Sequence, residues 1–196
     1  MQRKRVVVLA SGSGTNLQAL LDATDLGGDV VAVVSDRPNA GALSRAAAHD
    51  VSTTQVVLAG DRAAWESALR NEVGRHQPDL VVLAGFMRIL SAAFVQCWPV
   101  LNVHPSLLPA FPGAHAIEDA LAWGVKVAGV TVHFVDEQVD HGPIVAQECV
   151  AVLADDTVET LHARLQMIEH RLLPAAVHAF CAGQLHIEGR HVRNSK

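Results

Sequence analysis

Residues 6–16 read Val-Val-Val-Leu-Ala-Ser-Gly-Ser-Gly-Thr-Asn, a short apolar run that passes directly into a glycine turn. Consecutive rather than alternating apolar residues suit a strand covered on both faces, as in a parallel sheet. Residues 30–35, 53–58 and 80–84 have the same short, β-branched character and read as further buried strands. Helical patterns lie between them: residues 15–23 after the glycine turn, the alanine-rich residues 39–49, and residues 62–76 behind Asp61, a good N-cap. The alternation predicts an α/β chain with a Rossmann-like, doubly wound, mostly parallel sheet.

The second half has a different grammar. A strand near residues 100–103 leads into the proline-rich HPSLLPAFPG and a helix over residues 116–123. Residues 126–135 and 143–150 read as strands joined by the acidic DEQVDHG, either a hairpin or a wider loop. Asp156-Thr157-Val158-Glu159 resembles a capping box opening a long helix that runs toward Ala182, with Pro174 inside it and Gly183 after it. The tail QLHIEGRHVR suggests a small hairpin around Glu188-Gly189. We expect one domain over residues 1–196, with a phosphate-binding half (1–100) and a second half (101–196) whose β-α elements extend the same sheet.

Composition narrows the function. Half of the 196 residues are hydrophobic and 18% are charged, enough for a full core. A net charge of -5 gives no basic surplus for a nucleic-acid backbone, and 4% aromatic residues make a poor base-stacking platform. Cys97, Cys149 and Cys181 are odd in number and widely spaced, which suits reduced thiols in the cytoplasm rather than a disulfide framework. The apolar run after MQRKR is too short for a signal peptide, and no stretch is long enough to span a membrane.

Three features carry chemistry. Gly12, Ser13, Gly14, Thr15 and Asn16 sit where the first strand hands over to the first helix. There, glycines let backbone N–H groups approach a ligand, and the helix start favours an anion. Leu17 stands where a dinucleotide fingerprint needs its third glycine, and no Walker lysine follows, so the turn suits one phosphate monoester or is simply a tight turn. Asn102 and His104 end a strand two residues apart, on one face. A carboxamide and an imidazole there can bind a carbonyl oxygen that becomes an oxyanion, or form a hydrogen-bonded turn. Asp140 lies in VDEQVDHGPI; beside His104 its carboxylate would favour the imidazolium, whereas alone it is a solvated turn residue. His133 and His141 raise a metal hypothesis, but no tight ligand pair or H-E-x-x-H is present and no metal is expected. Ser106 is not in a G-x-S-x-G elbow, against a serine hydrolase.

Taken in order, LASGSGTNLQAL, LAGFMRILS, LNVHPSLLPAFPG and VTVHFVDEQVDHGPIVAQ resemble the phosphoribosylglycinamide formyltransferase family of the folate-dependent formyltransferase superfamily. The resemblance implies the formyltransferase fold and a one-carbon transfer. The formyl group of 10-formyltetrahydrofolate, a co-substrate, would pass to the amine of 5'-phosphoribosylglycinamide in purine biosynthesis. It implies that Asn102, His104 and Asp140 are catalytic, and that residues 12–16 hold the ribonucleotide phosphate with Gln166 and Glu169. It also implies that Met87, Arg88, Ile89, Leu90, Val135, Asp136, Glu137, Val139 and Asp140 form the folate site. Pro105, Ser106 and Pro109 would shape the adjoining loop. The family pattern carries a histidine near Ile117, where only His115 is found in this chain.

Formyltetrahydrofolate deformylase shares the asparagine–histidine loop but resembles a longer chain and lacks the SGSGTN turn. Methionyl-tRNA formyltransferase needs a further domain and a basic surface. A Rossmann-type dehydrogenase would use Asp36, after the second strand, to reach a ribose. A homodimer is compatible with a chain of this size, although no seam can be read from the residues.

Overall fold

The structure, a computed structural model, describes residues 3–195. β1 (Lys4–Leu9), β2 (Gly28–Ser35), β3 (Ser52–Gln55), β4 (Leu80–Leu83) and β5 (Val100–His104) pair in parallel in the order β3-β2-β1-β4-β5. The connections are α1 (Thr15–Leu21), α2 (Gly41–Ala48), α3 (Arg62–Arg75) and the short α4 (Ala92–Val95). After α5 (Ala116–Trp123), β6 (Val127–Phe134) returns antiparallel against β5, and β7 (Ile144–Ala151) antiparallel against β6. α6 (Val158–Cys181) then leads to the hairpin β8 (Leu185–Glu188) and β9 (His191–Asn194), and β9 adds to β7 to complete a nine-stranded sheet.

The opening run packs as its composition demands. Val6, Val7, Val8 and Leu9 are all fully buried. Val6 and Val8 enter one core with Leu17 and Leu20 of α1 and Leu161, Leu165 and Leu173 of α6. Val7 and Leu9 enter the other with Trp65, Leu69 and Val73 of α3 and Phe94 of α4. Period-2 alternation thus separates two apolar layers, one on each face of the sheet.

Two expectations change, and one left open is decided. β3 is only four residues, and its Ser52, Thr53 and Gln55 are exposed. Its polar side chains suit the sheet edge that it occupies, so it is no buried strand. The capping box forms one residue later than read: Thr157 is the N-cap and Thr160 its reciprocal partner. Asp156 instead accepts from Leu153 N at 2.7 Å and pairs with Arg164, which removes it from the cap. The acidic turn is a wide loop, because β6 ends at Phe134 and β7 begins at Ile144. The other expected elements lie within a few residues of their places, α4 is a short helix that the sequence reading did not include, and α6 runs through Pro174 to Cys181.

Candidate active site

β5 outruns its parallel neighbour. Pairing with β4 ends at Leu83↔Asn102, while β6 continues alongside with Asn102↔His133 and His104↔Thr131. Directly opposed residues of an antiparallel pair share a face, so Asn102, His104, Thr131 and His133 all project to one side. The wide loop then folds back and brings Asp140 over them. Asp140 adopts a left-handed backbone (φ 50°), and Gly142 is packed so closely on Phe134 that a Cβ would lie 1.9 Å from its carbonyl oxygen.

Asn102, His104 and Asp140 therefore come together as expected. Asn102 Nδ2 lies 3.4 Å from Asp140 Oδ1, and His104 Nδ1 lies 3.4 Å from Asp140 Oδ2. His104 Nε2 is 2.8 Å from the carbonyl of Phe111. A carbonyl only accepts, so Nε2 carries a proton and Nδ1 is the atom turned to the carboxylate. Gly113 N donates to Asp140 Oδ2 at 2.7 Å. Burial is the largest influence on the Asp140 carboxyl and pushes its pKa up. The His133 ring, the Gly113 N–H and the charges of His104 and His133 together outweigh it and hold the group below its ordinary 3.8.

His133, read from the sequence only as a candidate metal ligand, belongs to this site. It is 1% exposed, with Nε2 3.2 Å from Asn102 Nδ2 and 3.6 Å from Asp140 Oδ1. Its Nδ1 donates to the Phe134 carbonyl at 2.8 Å, which fixes the ring with Nε2 facing both the Asn102 carboxamide and the Asp140 carboxylate. Its position opposite Asn102 was the available signal, but the β5–β6 register was needed to see it. No group of three or more metal-binding side chains is found among the described residues. His115 is exposed at the start of α5 and Ile117 is buried in the core.

A cavity of about 400 Å3 opens beside the trio. It is lined by Met87, Arg88, Ile89 and Leu90 from the loop after β4, by Val135, Asp136, Glu137, Val139 and Asp140 from the loop after β6, and by Pro105. Met87, Ile89 and Val139 are exposed apolar side chains, an arrangement that suits a flat heterocycle. Arg88 lines the wall but donates from Nε to Asp36 at 2.6 Å, while Asp36 is buried and also accepts from Ser11. Asp36 is therefore not available to a ribose, which removes the dehydrogenase reading. Asp136 accepts from the His141 ring at 2.7 Å, and Glu137 from Gln96 at 2.9 Å.

The glycine turn adjoins this cavity through Ser11, whose N–H donates to Gly85 O at 3.1 Å. Gly12 and Ser13 are exposed, and a Cβ on Gly12 would meet nothing within 4 Å. Gly14 is left-handed (φ 78°) and lies on α2, where a Cβ would come 2.5 Å from Ala42 Cα. From α6, Gln166 donates to Thr15 Oγ1 at 3.0 Å and Glu169 accepts from Asn16 Nδ2 at 2.9 Å. The buried Asn16 Oδ1 has no hydrogen-bond partner. Ser106 and Pro109 lie outside the cavity wall; Ser106 Oγ caps the Ala110 carbonyl at 2.6 Å and shapes the loop internally.

Comparison with known proteins supplies the family. The formyl transferase profile matches residues 4–177. A protein of Mycobacterium tuberculosis (strain ATCC 25618 / H37Rv) named phosphoribosylglycinamide formyltransferase is 49% identical over 191 residues, 95% of this chain and 89% of that one. The crystal structure of glycinamide ribonucleotide transformylase 1 from Symbiobacterium toebii superposes with a TM-score of 0.95 at 47% identity, covering 99% of this chain and 95% of that one. A formyltetrahydrofolate deformylase from Pseudomonas syringae shares the fold (TM-score 0.93) at 30% identity, with 100% of this chain covering 67% of that one. The paired glycine turn and Asn-His-Asp centre, the mixed nine-stranded sheet and these similarities agree: the chain belongs to the formyl transferase family.

Proposed function

We propose that the chain is an enzyme that transfers the formyl group of 10-formyltetrahydrofolate to the amine of 5'-phosphoribosylglycinamide, within purine biosynthesis. One observation carries this reading. An ionised Asp140, touched by Asn102, His104 and His133, stands at the mouth of an apolar-walled cavity that adjoins a glycine turn open to an anion. The identities of 47–49% to formyltransferases, against 30% to a deformylase, favour transfer over hydrolysis.

The substrate amine attacks the formyl carbon, and the carbonyl oxygen becomes a tetrahedral oxyanion. Asn102 Nδ2 and a proton on His104 Nδ1 are its donors, each worth roughly 3 kcal/mol of barrier. The carbon–nitrogen bond to the folate then breaks. The attacking nitrogen loses one proton and the departing folate nitrogen gains one, with Asp140 and His104 moving it through water. Holding both reactants in place supplies much of the remaining acceleration. No covalent enzyme intermediate is involved, and no metal is called for.

The backbone N–H groups of residues 12–16 take the phosphate. Glu169 can only accept, so its buried carboxylate suits a hydroxyl of the ribose better than the phosphate. Met87, Ile89, Leu90 and Val135 hold the pterin between apolar faces, and the 135–143 loop closes over it. Three free thiols and a chain whose described helices are none of them long and apolar enough to cross a membrane suit the cytoplasm. A homodimer is one assembly state open to the chain.

The test mixes pure protein with 10-formyltetrahydrofolate, with and without 5'-phosphoribosylglycinamide. We expect folate turnover only with the amine present. Formate release at the same rate without it would establish the deformylase instead. His104→Ala should lower turnover by about 100- to 1000-fold while the ribonucleotide still binds; near-normal activity would make His104 structural.

A further inference from the structure

Asp36 stands at the end of β2, outside the reacting trio, with its side chain wholly buried. Oδ1 accepts the Ser11 hydroxyl at 2.6 Å and Oδ2 accepts Arg88 Nε at 2.6 Å. Ser11 Oγ in turn accepts the backbone N–H of Met87 at 2.9 Å. Three loops thus meet at one carboxylate: the glycine turn after β1, the loop after β2, and the cavity wall after β4.

The three loops are not equally secured. Ser11 follows directly on the sheet, where the N–H of Ala10 donates to Val34 O at 3.1 Å, and its own N–H donates to Gly85 O, at the start of the loop after β4, at 3.1 Å. Met87 and Arg88 lie between β4 and α4, outside any helix or strand, and the Met87 side chain is 65% exposed. The hydrogen bonds of Met87 N–H and of the Arg88 side chain run to Ser11 and Asp36, while their neighbours are held separately, by the buried Phe86 and Leu90 and by Arg62, which donates to the Ile89 carbonyl at 2.5 Å. Arg88 is 34% exposed and its guanidinium is turned inward to the carboxylate, so it braces the wall from behind. A buried carboxylate left unpaired would be costly, and neither oxygen of Asp36 is left so.

We propose that Asp36 is a positioning residue for the folate side of the reaction. With Ser11 and Arg88 it holds the Met87–Arg88 backbone in place while touching neither substrate. This rests on the reading that the cavity takes the reduced folate.

The test compares Asp36→Asn and Ser11→Ala with the unaltered full chain. Binding of 10-formyltetrahydrofolate and of 5'-phosphoribosylglycinamide is measured separately by calorimetry, and KM and kcat are measured with each substrate varied. Both variants should raise the folate Kd and KM about tenfold, the effect of losing one charge-assisted hydrogen bond. The ribonucleotide Kd should stay within about twofold, because Ser11 keeps its backbone anchors. At saturating folate kcat should be near normal, as for lost uniform binding. Arg88→Lys, which keeps a cation against Asp36, should lose less folate affinity than Arg88→Gln. Unchanged folate affinity, or equal loss of both affinities, would overturn the proposal. If Asp36→Asn does not fold, Ser11→Ala decides alone. An unaltered protein that binds ribonucleotide but no folate would overturn the functional reading itself, before any variant is made.

Discussion

Asp140 shows how contacts at one residue set both charge and stability. Its carboxyl is held below 3.8 in the folded chain although burial pushes the other way. A carboxyl with a depressed folded pKa stabilises fully above its unfolded value and loses that contribution as pH falls through the folded one. Asp140→Asn should therefore be less stable than the unaltered protein at neutral pH, with the gap closing as pH falls from about 5 toward 2. Urea unfolding across that range measures it, and a constant gap would mean the carboxyl does not titrate as described. Asn102, His104 and Asp140 each stood out by residue type and position with a structural alternative beside it; the family resemblance joined them, and the fold brings them together. The place of His133 among them was not legible, because it depends on standing opposite Asn102 across two strands.

At the scale of the elements, two glycines in one turn do different work. Gly14 is left-handed and lies against Ala42 of α2, so a methyl group there meets backbone. Gly14→Ala should destabilise the fold by more than about 2 kcal/mol, from αL strain and overpacking together. Gly12 faces open space, and Gly12→Ala should keep the unfolding midpoint while raising the KM for the ribonucleotide. Thermal unfolding and steady-state kinetics on the pair separate the two roles; a fall in midpoint for Gly12→Ala would make the whole turn structural. The spacing Gly-Ser-Gly marked the turn in the sequence, but which glycine bears packing was set by where α2 lies. α6 shows the same division. Its length was readable, whereas its cap at Thr157 was decided by Asp156 turning to Leu153 and Arg164.

Across the whole molecule, the C-terminal hairpin reaches back to the site. Arg190, in the β8–β9 turn, donates from Nη2 to the His141 carbonyl at 2.7 Å, and the His141 ring lies 2.7 Å from Asp136. This clamps the end of the 135–143 loop from outside. Arg190→Ala should raise the folate KM by about two- to threefold, a modest effect because the contact is exposed, and leave the ribonucleotide KM unaltered. An unchanged folate KM would free the hairpin from any part in the loop. The sequence by itself determined the doubly wound half, the long final helix and the tail hairpin, because period, caps and glycine turns act over a few neighbouring residues. Tertiary structure alone decided that β3 is an exposed edge, that His133 faces Asn102, and that Asp36 braces Arg88. Each of these depends on which segments, remote in the chain, the sheet order brings together.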